Sequence, residues 1–433
     1  MPTSDLTTVA ALDLAALIRN RDVSCAEALE AHLRRTEAEN PRLNAIVQLD
    51  ADGARTTAAH ADAAIARGND LGPLHGVPYT VKDWIETEGL ICAAGIAERR
   101  EYRPRHDATV VARVRAAGGV LLGKTNCAGG GAVYPRPNNP HDVARTPGDS
   151  SSGDAAAVAS GMSPFGLCSD SGGSIRLPAG WCGVPAIKPT RGRVPRTGHF
   201  PRMGELSDIR SDIGVIARSA RDLHPLLAII EGPDFCDGGI APVPLGDPAD
   251  VSIAGLRVAR YMHMPEMDAT ASSVAAVEAA CDALAAAGAI VTADRPPGIE
   301  ESWPITKAYW SRPESASWNT WFTGREPSSM SGDDVEEHLF MWERFRRRVL
   351  EWMESYDLVV CPVAADVAPE HRRLTERDYL WTLPWSLTGY PVAVVRAGTS
   401  PEGMPVGVQL GAQPWRDDVA IAAAVAIEKA LRM

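Results

Sequence analysis

Three groups of residues in this chain have the types and spacing to do chemistry. They are Lys82 at the end of an apolar run, Ser150 with Ser151 and Ser152 in a glycine-rich stretch, and Ser174 directly behind Gly172 and Gly173. A serine hydroxyl is a weak nucleophile and needs a positioned base. Histidine is the usual one, but Ser174 stands in Gly-Gly-Ser-Ile-Arg, not in a Gly-x-Ser-x-Gly elbow. Lysine serves if it is neutral, and burial lowers its pKa by disfavouring the charged form. Lys82 ends the largely apolar GVPYTVK and is expected inside. A second hydroxyl can accept the nucleophile's proton and pass its own to the lysine. Run backwards, the same relay protonates a leaving nitrogen, which amide cleavage requires. Each group alone has a plainer reading: a solvated lysine, a helix cap with Asp154 at the positive helix end, and a tight turn.

The elements that must position these residues alternate between strand and helix. Residues 76–83 read as a short strand carrying Lys82, and 119–125 as the next buried strand. The stretch 126–153 is rich in Gly, Pro, Asn, Asp and Ser and must be loop. It runs into an alanine-rich helix at 154–161, then the strand PFGLCSDS, then the turn at 172–174. Upstream, 9–39 reads as helical with a capping box at Ser24 and Glu27, and 54–67 and 108–117 read as helices. Downstream, 255–261, 289–293 and 358–363 read as strands, and 270–287 and 333–355 as helices. Residues 391–395 and 405–411 read as paired strands before a final helix at 416–431. This alternation predicts an α/β fold with a central mixed sheet covered by helices on both faces. No repeat or linker interrupts it, so 1–433 is read as one domain.

Composition narrows the function. The 433 residues are 45% hydrophobic and 23% charged, enough to bury a large core without disulfides. A formal charge of −12 argues against nucleic acid and anionic membranes as partners. No apolar run is long enough to span a membrane, and the N-terminus lacks a basic n-region, so the cytoplasm is the expected location. The eight cysteines have no Cys-x-x-Cys pair and read as isolated thiols. The ten histidines lack metal-ligand spacing, and there is no phosphate loop or dinucleotide fingerprint. No metal or cofactor is expected. The partners are a small-molecule amide and water, with a homodimer as a further expectation.

The run 146–195 resembles the signature of the amidase signature family. The family pattern is Pro-Gly-Gly-Ser-Ser-Gly-Gly, an alanine-rich helix, Asp-x-Gly-Gly-Ser-Ile-Arg, Cys-Gly and Lys-Pro-Thr. Here these are PGDSSSG at 147–153, DSGGSIR at 170–176, Cys182 with Gly183, and KPT at 188–190. LHGVPYTVKD and LLGKTN resemble the family's lysine strand and the strand after it. PWSLTGYPVAVVRAG and MPVGVQLG resemble its closing strands. The resemblance marks 76–195 as the core signature region and fades over about 230–350, where substrate selection is expected. It implies an amidohydrolase with Ser174 as nucleophile, Ser150 as a bridging serine after a cis peptide bond, and Lys82 as base, working through an acyl-enzyme. It further implies an oxyanion hole from the N–H groups of Ser171, Gly172 and Gly173, a supporting Ser151, and Asp170 with Arg176 bracing the loop.

Two positions depart from the pattern. Asp149 and Ser152 stand where the pattern has glycine. A carboxylate within about 4–6 Å of Lys82 would stabilise the charged amine and weaken it as a base. Asp149 is therefore expected to point away from Lys82 or be offset by a cation; the alternative is that it faces the substrate and favours a cationic one. The late tryptophans, Trp303, Trp310, Trp318, Trp321, Trp342, Trp352, Trp381 and Trp385, read mostly as core, with a few available to line an aromatic pocket. Three rival readings stand beside the amidase. One is the glutaminase component of a tRNA-dependent amidotransferase, whose C-terminal glutamine-binding stretch is not evident here. The second is a binding protein that kept the fold. The third makes Cys182 the nucleophile, though its Cys-Gly setting reads as packing.

Overall fold

The apolar runs line up in a single eleven-stranded mixed sheet in the computed structural model, which describes residues 5–69, 72–127, 133–200, 210–265, 267–310 and 331–431. In chain order the strands are β1 (Ile46–Leu49), β2 (Pro78–Lys82), β3 (Val120–Thr125), β4 (Phe165–Asp170), β5 (Ala186–Lys188), β6 (Asp212–Ala217) and β7 (Arg257–Arg260). A two-stranded ribbon, β8 (His263–Met264) and β9 (Met267–Asp268), follows, then β10 (Ile290–Ala293), β11 (Leu358–Pro362), β12 (Val392–Thr399) and β13 (Pro405–Ala412). Their order across the sheet is β1-β3-β2-β4-β6-β5-β12-β13-β11-β7-β10. β2 runs parallel to β3 and β4, and β7 runs parallel to β10 and β11, while β4, β6, β5, β12, β13 and β11 are joined by antiparallel pairing.

Helices on both faces bury the central strands β2, β3, β4, β6, β11 and β13 along their whole length, while β10 at the sheet edge is largely exposed. On β11, Leu358 and Val360 point into one buried cluster while Val359 and Cys361 point into another. Side chains alternate along a strand, so both faces are covered. The second cluster collects Trp342, Trp381 and Trp385 around Tyr261 and Phe345. Of the five late tryptophans whose side chains are described, these three are thus core, and Trp303 and Trp352 are partly buried against the same cluster. Trp318 and Trp321 and the side chain of Trp310 lie outside the described residues.

The expected elements appear with small shifts. The helix read at 9–39 is two, Ala11–Arg19 and Cys25–Leu43, separated where Arg21 takes a left-handed φ of 62°. The capping box that starts the second is formed by Ser24 and Glu27. The strands read at 391–395 and 405–411 pair antiparallel as β12 and β13. β1, β5, β6 and the helix Leu223–Ile230 were not anticipated. All eight cysteines are free, and only Cys236 is exposed. Among the described residues no helix is long and apolar enough to cross a membrane.

Candidate active site

The parallel trio β3, β2 and β4 brings its C-terminal ends to one edge of the sheet. Lys82 ends β2 opposite Thr125 at the end of β3, and Asp170 ends β4. In open α/β sheets this is where ligands bind. The loop before the helix Ser152–Ala159 and the turn before the helix Arg176–Cys182 meet over these ends, joined by the Ser151 N–H donating to the Ser174 carbonyl at 3.2 Å.

Lys82 is fully buried. Its Nζ lies 2.6 Å from Ser150 Oγ, 3.0 Å from Ser169 Oγ and 3.2 Å from the Ser169 carbonyl. It also lies 4.5 Å from the centre of the Trp84 ring. Burial pushes its pKa below the ordinary lysine value, with the nearby Asp154 carboxylate leading the opposition and Asp149 contributing. Asp154 accepts a bond from Thr125 Oγ1 at 2.8 Å, and burial raises its carboxyl to about 7. It stands in the first turn of the helix Ser152–Ala159, as read from sequence, and also sits within electrostatic reach of the lysine amine.

Ser174 is 6% exposed, and its hydroxyl donates to Asp149 Oδ2 at 2.6 Å. Among the described residues it makes no hydrogen bond to Ser150, so the expected Ser174–Ser150–Lys82 chain is joined at Lys82 and open at Ser174. Asp149 does not turn away from the site, and among the described residues it forms no ion pair with a cation. It accepts the hydrogen bond of the nucleophile candidate, accepts a second from the Tyr379 hydroxyl, and lines the adjoining cavity. Burial raises its pKa above the usual carboxylate value, while Ser174, Lys82 and Tyr379 pull it down and Asp170 adds to the rise.

Asp170 and Arg176 hold the turn from below. The pair is fully buried and bidentate, with Nη2 to Oδ1 and Nε to Oδ2 both at 2.9 Å. Arg176 also reaches the Thr382 carbonyl at 2.7 Å and Ser386 Oγ at 2.6 Å. Asp170 collects the N–H groups of Gly173 at 2.8 Å, Ile175 at 3.1 Å and Arg176 at 3.3 Å. The Gly173 N–H thus braces the turn and is not turned to a substrate, which corrects its expected oxyanion role. Gly173 has φ 139°, and a Cβ there would meet Thr382 Oγ1 at 2.5 Å, so only glycine fits. The N–H groups of Gly172 and Ser174 donate to nothing among the described residues.

The other serines divide their work. Ser151 makes no side-chain cap to its helix; its hydroxyl donates to the Ser169 carbonyl at 3.1 Å. Ser152 Oγ is buried without a hydrogen-bond partner among the described residues. Cys182 is 1% exposed, its thiol donates to the Pro147 carbonyl at 3.4 Å, and burial pushes its pKa up, which leaves it an unreactive thiol.

Three groups at the site gave no local signal. Ser169 sits beside the lysine, His199 Nε2 lies 2.8 Å from Ser169 Oγ, and Tyr379 bonds Asp149. They come from β4, a loop and the helix Glu376–Tyr379, and only the fold joins them. Beside Asp149 opens a cavity of about 700 Å³, walled in part by Trp303, Tyr379, Thr146 and Gly148 and rimmed by Arg136, His371, Arg372, Arg373 and Glu376.

Comparison with known proteins agrees over nearly the whole length. The model of the family called Amidase matches residues 27–340 and 326–420. The putative amidase AmiD of Mycobacterium tuberculosis is 32% identical over 460 residues, covering 96% of this chain and 93% of that protein. A glutamyl-tRNA(Gln) amidotransferase component from Chloroflexus aurantiacus is 33% identical over 454 residues, covering 91% of each. The structure of 6-aminohexanoate cyclic dimer hydrolase with its substrate superposes with a TM-score of 0.89 at 28% identity, covering 99% of this chain and 98% of that one.

Proposed function

The chain belongs to the amidase family, the amidase signature enzymes, and is an amide-cleaving hydrolase; on that premise we propose that it cleaves a small-molecule amide through an acyl-enzyme on Ser174, with Ser150 and Lys82 as its proton-handling pair. One observation carries the reading. A fully buried lysine amine lies 2.6 Å from the Ser150 hydroxyl, beside the turn that bears Ser174. A lysine is almost never buried this completely unless it is paired. Burial moves its proton affinity toward the range useful in catalysis. Ser150 both donates and accepts, so it can carry protons between Lys82 and the reacting atoms.

The substrate carbonyl oxygen is assigned to the Ser171–Ser174 turn. The Gly172 and Ser174 N–H groups are the donors for the developing oxyanion, with Ser171 beside them. One such donor is worth about 3 kcal/mol of barrier in other enzymes. Ser151 supports the assembly by tying the serine loop to β4, and Asp170 with Arg176 fixes the turn.

The test is a panel of amides varied separately on the acyl and amine sides, run on wild type and Ser174→Ala, with fluorophosphonate labelling of Ser174. Labelling of wild type and loss of turnover in Ser174→Ala are expected. Turnover that survives in Ser174→Ala rejects the nucleophile.

A second reading has a specific basis in the similarity to the amidotransferase component over 91% of both chains. Under it the chain releases ammonia from glutamine for a partner. Purified chain that ignores simple amides and hydrolyses glutamine when a partner is added would favour this reading.

A further inference from the structure

Two proton-handling groups stand side by side in this site. Asp149 and Ser150 are chain neighbours with different partners: Asp149 bonds Ser174 and Tyr379, and Ser150 bonds Lys82. The family pattern has glycine where Asp149 stands and so offers no carboxylate to the nucleophile. At 2.6 Å the Ser174–Asp149 contact is in the range of a charge-assisted O–H···O bond.

We infer that Asp149 is a catalytic residue: its carboxylate takes the Ser174 proton, while Lys82 acting through Ser150 serves the leaving nitrogen and then the water. The inference rests on Ser174 as nucleophile; it changes where the Ser174 proton goes and has Lys82 begin the cycle as an ammonium and not as a neutral base.

The bonds and protons balance. In the first half, Ser174 Oγ bonds to the amide carbon as its proton passes to Asp149 Oδ2. The carbon–nitrogen bond breaks as Ser150 gives its proton to the nitrogen and takes one from the Lys82 ammonium. Asp149 is now a neutral acid and Lys82 a neutral amine. In the second half, water bonds to the acyl carbon while its proton passes through Ser150 to Lys82. Asp149 returns its proton to Ser174 Oγ as the ester bond breaks. Amide and water have become acid and amine, and both groups regain their starting charges.

The surroundings suit this division. Burial makes Asp149 a stronger base than an ordinary aspartate and Lys82 a stronger acid than an ordinary lysine, so their proton affinities move toward each other. The Trp84 ring near Nζ favours the ammonium, as does Asp154. Lys82, Asp170 and Tyr379 face Asp149 from the protein side. From the cavity side the charged or titratable groups are Arg136, His371, Arg372, Arg373 and Glu376, with Arg372 already bound by Asp378.

The experiment is kcat/KM against pH for wild type and Asp149→Asn on one amide substrate, with thermal melting as the fold check. The first half needs Asp149 ionised and Lys82 protonated, so wild type gives a bell. Asparagine keeps a hydrogen-bonding group but cannot take a proton. Asp149→Asn is expected to lose about 100-fold or more in kcat/KM and to lose the acid limb. A folded Asp149→Asn within about threefold of wild type overturns the inference, because asparagine imitates the protonated acid. If Asp149→Asn does not fold, the wild-type curve decides. An alkaline fall upholds the inference, and a curve that only rises with pH overturns it. Turnover surviving in Ser174→Ala instead strikes at the nucleophile, so the two failures are distinguishable.

Discussion

Ser169 holds Lys82 at two points, its carbonyl 3.2 Å and its hydroxyl 3.0 Å from Nζ. The carbonyl can only accept, so one N–H of the amine is always directed there. The hydroxyl is itself fixed by His199 Nε2 at 2.8 Å. Nζ is thereby aimed at Ser150. Ser169→Ala keeps the carbonyl and removes the second anchor. It should lower kcat about tenfold, the worth of one such hydrogen bond, with KM nearly unchanged. Steady-state kinetics check this, and an unchanged kcat would reduce Ser169 to a packing residue.

Tyr379 tunes the carboxylate. Its hydroxyl bond to Asp149 stabilises the ionised form and pulls the Asp149 pKa down against burial. Tyr379→Phe removes that bond while keeping the ring. The Asp149 pKa should rise, and the acid limb of kcat/KM should move to higher pH while the alkaline limb stays. A pH profile measures both limbs on one sample. An acid limb that does not move would mean that a group other than Asp149 sets it.

The fold was readable from sequence wherever a buried strand or helix ran long enough to show its pattern. β2, β3, β4 and β11 are short apolar runs bounded by turn residues, and the structure has them within a residue or two. β5 is only three residues between prolines, and Gly214 interrupts β6, so neither gave a signal. Lys82, Ser150 and Ser174 could be named from their settings. The Ser174–Asp149 bond could not, because it depends on the directions of two side chains 25 residues apart. Ser169, His199 and Tyr379 are ordinary residues in their own segments and join the site only through the sheet and the loops above it. Asp149 could be flagged only as an oddity against a glycine pattern.

A cationic substrate, raised by Asp149 alone, fits poorly with the rim around it. Arg136 and Arg373 line the cavity and form no ion pair among the described residues, in a chain of net charge −12. Asp149 is engaged by Ser174 and Tyr379. An amide bearing a carboxylate beyond the scissile bond should therefore show a lower KM than its ammonium counterpart. The gap should close with salt, since the screening length falls to about 3 Å at 1 M. Arg136→Ala combined with Arg373→Ala should raise KM for the carboxylate substrate by roughly 3–10-fold and leave the ammonium substrate unaffected or improved. Initial rates for the two substrates at low and high salt decide it.

The buried Asp170–Arg176 pair sets the stability of the turn. Burial pushes the Asp170 carboxyl up, but Arg176 and three backbone N–H groups more than offset this and hold it below the usual carboxylate value. A depressed folded pKa contributes stability that is present above the unfolded value and lost as pH falls through the folded one. Arg176→Met fills much of the volume but leaves Asp170 buried without its cation. The expected loss is about 3–5 kcal/mol at neutral pH, read from urea midpoints. Without the guanidinium, Asp170 should take up a proton at a higher pH than in wild type. The stability gap between wild type and Arg176→Met should then narrow steadily as pH is lowered, because protonation removes the uncompensated charge that causes it. A gap that stays constant with pH would mean that the loss comes from the arginine's bonds to Thr382 and Ser386 and not from the charge on Asp170.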